Sequence, residues 1–443
     1  MKEFIQTLKN IWKIEELRSR IIFTLGILLV YRLGAYITLP GIDPNQLDNL
    51  QSTTATGVLS LLNMFSGGAF SQASIFALGI MPYISASIVI QLLAIVLPYF
   101  RKLQREGESG RRKINQLTRY LTVGILFVQA PAYVASLHGL LQPSAFLITG
   151  TFFTFMTTVI LTAGSLFIMW LGERITDKGI GNGISLIIMV GIIARLPFGL
   201  AAELATRLEA QGGGLVFLLV ELIVWALVIA SSIMLVQGTR KIPVQYAKRI
   251  VGNKQYGGVR QYIPLKVNAA GVMPIIFAQA LMFIPVTLTQ FSTDTQTMGW
   301  LTSAFVTNTS LLYNLTFAIL IIAFTYFYTA ITVSSTQMAE DMKRNGGFIP
   351  GVKPGRRTVD YVDSILSKIT LPGSIFLAII AILPTFALLL GVGNDFSQFF
   401  GGTTLLIMTG VVLDTLQQIE SHLLMRHYDG LLKTGRIKGR VGA

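Results

Sequence analysis

The sequence contains no cysteine, only three histidines, and 13% charged residues over 443 positions. The missing cysteine excludes disulfides, thiol catalysis and zinc–thiolate sites. His138, His422 and His427 are too scattered to share a metal, and surface or interfacial positions suit them better. None of the patterns GxxxxGKS/T, HExxH or GxSxG occurs, so an energy source or a catalytic centre has to belong to a partner, and no cofactor is expected. Charge is the most informative shortage. Soluble domains carry about a quarter charged residues, and a chain this poor in charge lives in a membrane.

Apolar sequence is what the chain has instead, with 52% hydrophobic residues and a mean hydropathy of +0.63. A bilayer-spanning helix needs about 20 apolar residues. Runs of that length begin near Ile21, Ser74, Leu121, Thr151, Gly183, Leu215, Ala269, Leu311, Ile369 and Thr403, which makes ten. The first 20 residues are long and mixed in charge, with no small-residue cleavage pattern after the first run, so they are not a cleaved signal peptide.

Lysine and arginine mark one side. Of the 35, 32 lie in the N-terminal segment, the 2/3, 4/5, 6/7 and 8/9 loops, and the C-terminal tail; none lies between Arg32 and Arg101. By the positive-inside rule both termini are expected in the cytoplasm, and the net charge of +14 is explained by topology before any ligand is invoked. An even ten divides into five plus five, and halves of odd span number enter from opposite faces. The expected fold is all-α and polytopic, two inverted five-helix halves with a pathway at their interface. The boundaries expected are a cytoplasmic segment 1–20, a first half 21–200, a second half 215–418 with long loops at 237–268 and 333–368, and a tail 419–443.

Inverted halves also suit a secondary transporter, which needs ionisable groups near the midplane. The candidates are Arg32, Arg195, Glu221 and Asp414, none spaced to form a relay with another. Interruptions by glycine, in two cases with proline, are better represented: "ALGIMPYI", "GIGNGIS", "AAGVMPII" and "FGGTTLLI". Glycine for helix packing accounts for any one of them. Four suggest helices that start part-way through the membrane around a cavity. "NMFSGGAF", residues Asn63–Phe70, is apolar, uncharged and too short to span. On its own it reads as a re-entrant or interfacial turn.

The 6/7 loop carries Arg240, Lys241, Lys248, Arg249, Lys254, Arg260 and Lys266 and no acid, and its "KIPVQYAKRIV" alternates as a strand does, which predicts a small hairpin. In the 8/9 loop, "NGGFIPGVKPGRR" reads as an ordered turn presenting basic residues. Orientation and anionic lipid account for some of this charge. Structured, projecting loops are more than orientation needs, and a docking platform for an acidic or RNA-rich partner is favoured.

Several long segments are similar to the SecY family, the channel subunits of the Sec protein translocon. "SIFALGIMPYISASIVIQLL" (Ser74–Leu93) and "MWLGERITDKGIGNGISLII" (Met169–Ile188) resemble its two signature segments. "EGESGRRK" (Glu106–Lys113), "IPLKVN" (Ile263–Asn268) and "FIPGVKPG" (Phe348–Gly355) follow in family order. The resemblance implies a passive, non-enzymatic channel in the bacterial cytoplasmic (inner) membrane, two halves around an hourglass pore. It implies that unfolded preproteins bearing signal sequences are driven through by the SecA ATPase or a ribosome, with SecE and SecG as small partners.

It also implies site residues. The plug would be roughly Leu59–Gln72, including Asn63, Met64, Phe65, Ser66, Gly67, Gly68, Ala69 and Phe70, with Gly67 and Gly68 making it mobile. The pore ring would be Ile80 and Ile84 on span two, Ile184 and Ile188 on span five, Ile276 on span seven and Ile407 on span ten. A ring of large aliphatic side chains excludes ions by dewetting and closes on any sequence. Ser85, Gln129 and Asn268 would lie on a lateral gate that opens toward lipid. Partner binding would use Arg240, Lys241, Lys248, Arg249, Lys254, Lys266, Lys353, Arg356 and Arg357. Lys353 stands where the family usually has arginine, so a planar bidentate contact there is in doubt.

Overall fold

Glycine and proline set where the helices begin. The computed structural model describes residues 12, 14–47, 50, 63–148, 150–208, 214–246, 249–251, 254–256, 260–279, 281–282 and 310–433. Helix α1 is Glu15–Gly34; α2, Met81–Val96, follows a run of turns and has Pro82 in its first turn, where a missing N–H costs nothing. Leu97, extended as a residue before proline must be, ends α2, and α3 (Pro98–Arg105) leaves at 103°. Then come α4 (Glu108–Leu140), α5 (Thr151–Lys178), α6 (Gly183–Leu208) and α7 (Gly214–Gln237). After two small sheets and helical residues 273–279, the chain continues through α8 (Leu311–Thr332), α9 (Ser335–Arg344), α10 (Arg356–Leu389), the short α11 (Asn394–Ser397) and α12 (Gly402–Lys433).

Among the described residues six helices are long and apolar enough to cross a membrane, or seven if α2 and α3 make one bent span. Helices α1 and α12 and residues 273–279 lie where three more spans are expected. All four interruptions coincide with helix starts: α2 at Met81, α6 at Gly183, residue 273, and α12 at Gly402. One expectation is corrected. The run from Ser74 was read as span from its first residue, yet residues 66–80 form turns.

The chain divides into two compact units, Met1–Phe198 with Val411–Ala443, and Gly199–Gly410. In the first, α1 packs on α5, and α4 on both α2 and α5. Its core gathers Leu39, Ile42, Phe70, Ala73, Tyr133, Leu137, Phe153 and Leu161. Lipid tails are as apolar as leucine, so close packing at small residues holds such helices together. Gly164 of α5 lies against the Ile75 carbonyl, and Gly34 of α1 against the Phe76 ring; a Cβ at either position would fall inside its neighbour.

In the second unit α8 packs along α10 over Ile275, Phe317, Ile321, Leu377, Ile380 and Leu406. The expected hairpin is present: β1 (Thr239–Tyr246) pairs antiparallel with β4 (Arg260–Lys266), and Ile242 faces Ile263. Between them β2 (Arg249–Val251) pairs with β3 (Lys254–Tyr256). From the other long loop, β5 (Gly347–Phe348) joins the far edge of β1. Ile242, Val244, Leu265, Met342, Ile349, Val362 and Leu366 bury one shared core beneath. The two basic loops are one folded element.

Gly164→Val places a branched side chain into the Ile75 carbonyl. Overpacking of this kind costs about 1–3 kcal/mol, so the variant should melt at lower temperature in detergent than the parent chain. An unchanged melting temperature would mean that the segment before α2 does not press on α5.

Candidate functional site

Residues 63–80 form an apolar segment that is irregular yet buried, so its backbone polar groups need partners. It supplies many itself. The Asn63 carbonyl accepts from Gly68 N (2.8 Å) and Ser66 Oγ (3.1 Å). Asn63 Oδ1 accepts from Ser71 N (3.0 Å), and Ser66 Oγ accepts from Phe70 N (3.0 Å). Three donors from neighbouring helices supply more. Arg32 Nη1 donates to the Gly67 carbonyl at 2.7 Å, Tyr31 OH to that of Ser66 at 3.3 Å, and Tyr133 OH to that of Phe70 at 2.9 Å. The Phe70 ring meets the Tyr133 ring edge-on at 4.8 Å. Asn63 Nδ2 is buried without a partner.

Asn63, Met64, Phe65, Ser66, Gly67, Ala69 and Phe70 are all buried, and Gly68 is half-buried. Of the rest of the expected plug, Ser71 is buried, Gln72 is half-buried, and residues 59–62 lie outside the described residues. Mobility was the reason inferred for the two glycines, and the structure gives another. Gly67 has φ +66°, and a Cβ there would lie 2.7 Å from the Cα of Gly191 on α6. The backbones touch, and only a residue without a side chain allows it.

Four candidate ring residues belong to the first unit. Ile80 is buried as the residue preceding α2, and Ile84 N donates to its carbonyl (3.1 Å), so the two stack one turn apart. Ile184 and Ile188 make the same i, i+4 step in the first two turns of α6. Ile188 is buried, and Ile184 leans on Gly172 of α5. In the second unit Ile276 is half-buried, and Ile407 is buried in the second turn of α12.

Ser85 and Gln129 are half-buried on the neighbouring helices α2 and α4. Asn268, in the second unit, is buried with Oδ1 unpartnered. Arg240, Lys241, Lys266, Lys353, Arg356 and Arg357 are exposed on the joint element of the two loops. Lys248 and the side chains of Arg249 and Lys254 lie outside the described residues. Among the described residues no group of His, Cys, Asp or Glu is arranged to hold a metal.

The donors to the 63–72 segment were missed from sequence, where Arg32 counted only as a charge near the end of a span. A tyrosine–arginine pair late in an apolar helix was the available signal. A second miss is Arg207, assigned to a loop; it sits in α6, ion-paired with Glu203 and Glu221.

The model of the SecY family matches residues 74–416. The chain belongs to the SecY family. Among curated relatives, the protein translocase subunit SecY of Mycobacterium bovis is 45% identical over 98% of this chain and all of its own length. Two solved structures share the fold. One, concerned with the SecY plug domain stabilising the closed state and maintaining a membrane seal, has a TM-score of 0.62 at 18% identity. The other is Sec61 in the canine ribosome–channel complex, with a TM-score of 0.56 at 16% identity. Each covers 95% of both chains.

Removing the donors should loosen the segment. A hydrogen bond to a charged group contributes about 1.5–3 kcal/mol and a neutral one about 1. Arg32→Met should therefore speed maleimide labelling of a cysteine introduced at Ala69 by roughly tenfold, and Tyr133→Phe by less. The cysteine-free chain makes the readout clean. Equal labelling in parent and variants would show that these donors do not hold the segment.

Proposed function

We propose that the chain works as the central, passive channel of a protein translocase. It moves unfolded preproteins across the membrane and releases hydrophobic segments sideways into lipid. One observation carries this most: an uncharged segment, buried before a late-starting span, is held from outside through its carbonyl oxygens. Polar retention through backbone carbonyls, beside the packing of buried side chains such as Phe70, suits a part that leaves its seat and returns to it. It is the segment that the family resemblance assigns as the plug.

In this reading Ile80, Ile84, Ile184, Ile188, Ile276 and Ile407 make the constriction beside it. Six isoleucines offer no polar site, so a resting collar stays dry and an open one grips no particular sequence. Ser85, Gln129 and Asn268 border the lateral gate, where hydrogen bonds worth about 0.6–2 kcal/mol each are replaceable by a signal sequence. The halves 21–200 and 215–418 flank the pore. The assembly sits in a bacterial inner membrane with both termini cytoplasmic, accompanied by SecE and SecG. SecA or a ribosome docks on the basic element, whose Arg240, Lys241, Lys353, Arg356 and Arg357 suit acidic protein or RNA.

Of the four charges a proton-coupled transporter could use, Arg32 is engaged by Gly67 and Glu221 by Arg207, and Asp414 is exposed. The deciding experiment is reconstitution. With its partners, SecA and ATP, the chain should export a secretory preprotein into vesicles. Solute uptake driven by a pH gradient alone, with no preprotein export, would overturn the channel reading. The collar is tested separately: Ile84→Gly with Ile276→Gly, or deletion of residues 59–72, should raise resting ion conductance well above the parent level. Background conductance in both would mean that the pore lies elsewhere.

Docking on the loops has its own measurement. Reversing charge at Lys353, Arg356 and Arg357 should weaken SecA or ribosome binding by several-fold or more, and more strongly at low salt. Equal affinity would return these residues to topology determinants.

A further inference from the structure

Helix α7 looks uniformly greasy in sequence, but the structure gives it one polar stripe. Glu221, Trp225, Val228, Ser232 and Leu235 follow one another at spacings of three and four, so they share a face; Glu221, Val228, Ser232 and Leu235 are buried. Three of the five make side-chain hydrogen bonds or ion pairs, each leading toward α12. Arg207, from the end of α6, pairs with Glu221 and donates at 2.7 Å to the carbonyl of Gly391. Its neighbour Glu203 accepts from Arg207 Nε at 2.9 Å and, through its other oxygen, from Gly393 N at 2.8 Å. The Phe217 ring lies 5.4 Å from the guanidinium. Trp225 Nε1 donates to the Phe399 carbonyl at 2.9 Å, and its ring tilts against Phe396. Ser232 Oγ and Thr409 Oγ1 are 2.9 Å apart.

These contacts fall on a single stretch, "GVGNDFSQFFGG", residues 391–402, and the first turns of the helix it launches. The stretch is buried through Phe396, Phe399 and Phe400. It ends at Gly401, which lies against the Ile380 carbonyl of α10 so closely that a Cβ would not fit. Helix α12 begins one residue later, and Ile407 follows in its second turn. Glu203, Arg207 and Glu221 are 2%, 9% and 6% exposed, so the cluster is a buried one with two acids and one base. A buried ion cluster gives little net stability compared with an apolar replacement. What it supplies is geometry, because a planar guanidinium fixes several acceptors at once.

We propose that Arg207, Trp225 and Ser232 are positioning residues for the pore ring: they fix the depth and rotation at which α12 starts, and so where Ile407 stands. This rests on the channel reading above and adds a support for one ring member from behind. The cluster and the stripe act through α12 and touch no translocating chain.

The test compares single variants of the channel reconstituted with its partners: Arg207→Gln, Arg207→Lys, Trp225→Phe, Ser232→Ala and, as the direct control, Ile407→Gly. Trp225→Phe keeps an aromatic ring and loses the N–H together with the pyrrole part of the indole, a smaller change than removing the charge of Arg207, so it folds where Arg207→Gln fails to. Resting ion conductance in planar bilayers is read beside the melting temperature of the same preparation. The expected result is a leak in Arg207→Gln and Trp225→Phe, above the parent level and below that of Ile407→Gly, with Arg207→Lys restoring part of the seal. A merely structural role would lower the melting temperature and leave conductance at background. Folded variants that stay sealed while Ile407→Gly leaks would overturn the positioning role and spare the channel reading. A sealed Ile407→Gly channel would remove the ring assignment of Ile407, and this inference with it.

Discussion

A peptide carbonyl that leaves helical geometry inside a bilayer has no water to accept from, and each such group left alone costs several kcal/mol. This chain has an irregular segment in each unit, and an arginine reaches each. Residues 66–80 are mostly buried; residues 391–401 are buried at Phe396, Phe399 and Phe400, with Gly391 itself exposed. An arginine from a neighbouring helix donates to a glycine carbonyl at 2.7 Å, Arg32 to Gly67 in one case and Arg207 to Gly391 in the other. Both glycines have positive φ, +66° and +88°, a backbone turn that aims the carbonyl away from the chain's own hydrogen bonds. Two of the rare charges within apolar sequence are thus engaged with the backbone.

Each anchored segment ends where a helix begins late. Residues 66–80 deliver α2 at Met81, and residues 391–401 deliver α12 at Gly402. The candidate ring residues Ile80, Ile84 and Ile407 lie at or just inside those starts. In the channel proposed above, where a collar residue stands depends on polar contacts made several residues upstream. The proposed collar and its anchors divide the work: a collar has to stay free of polar groups to remain dry, and in this proposal the polar groups that place it are set back behind the helices that carry it.

Much of this was legible in one dimension. Apolar runs and glycine interruptions placed the starts of α6 and α12, and the interruption rather than the run's first residue marked that of α2, because interrupted helices are a property of local backbone chemistry. The alternation in "KIPVQYAKRIV" predicted β1, and the uncharged "NMFSGGAF" stood out against its surroundings. Other features were not legible, for reasons of sequence distance. Gly67 was read as a source of motion because its contact, Gly191, is far along the chain. Arg207 was counted in a loop and Glu221 as an isolated charge, since nothing local says that the end of α6 faces the start of α7. Two loops looked like two docking elements until β5 was found on the edge of β1.

By itself the amino-acid sequence determined the solvent of this protein, its mostly helical, many-spanned character, the absence of thiol chemistry, and a family membership carried by long contiguous motifs. These depend on composition and on neighbours in the chain, which hydropathy and backbone sterics read directly. Tertiary structure alone decided which carbonyl each buried donor satisfies, why Gly67 must be glycine, and which face of α7 is polar. Those are pairings between residues tens to hundreds of positions apart, and the energy of leaving a polar group unpaired in a membrane selects among them only once the helices are packed.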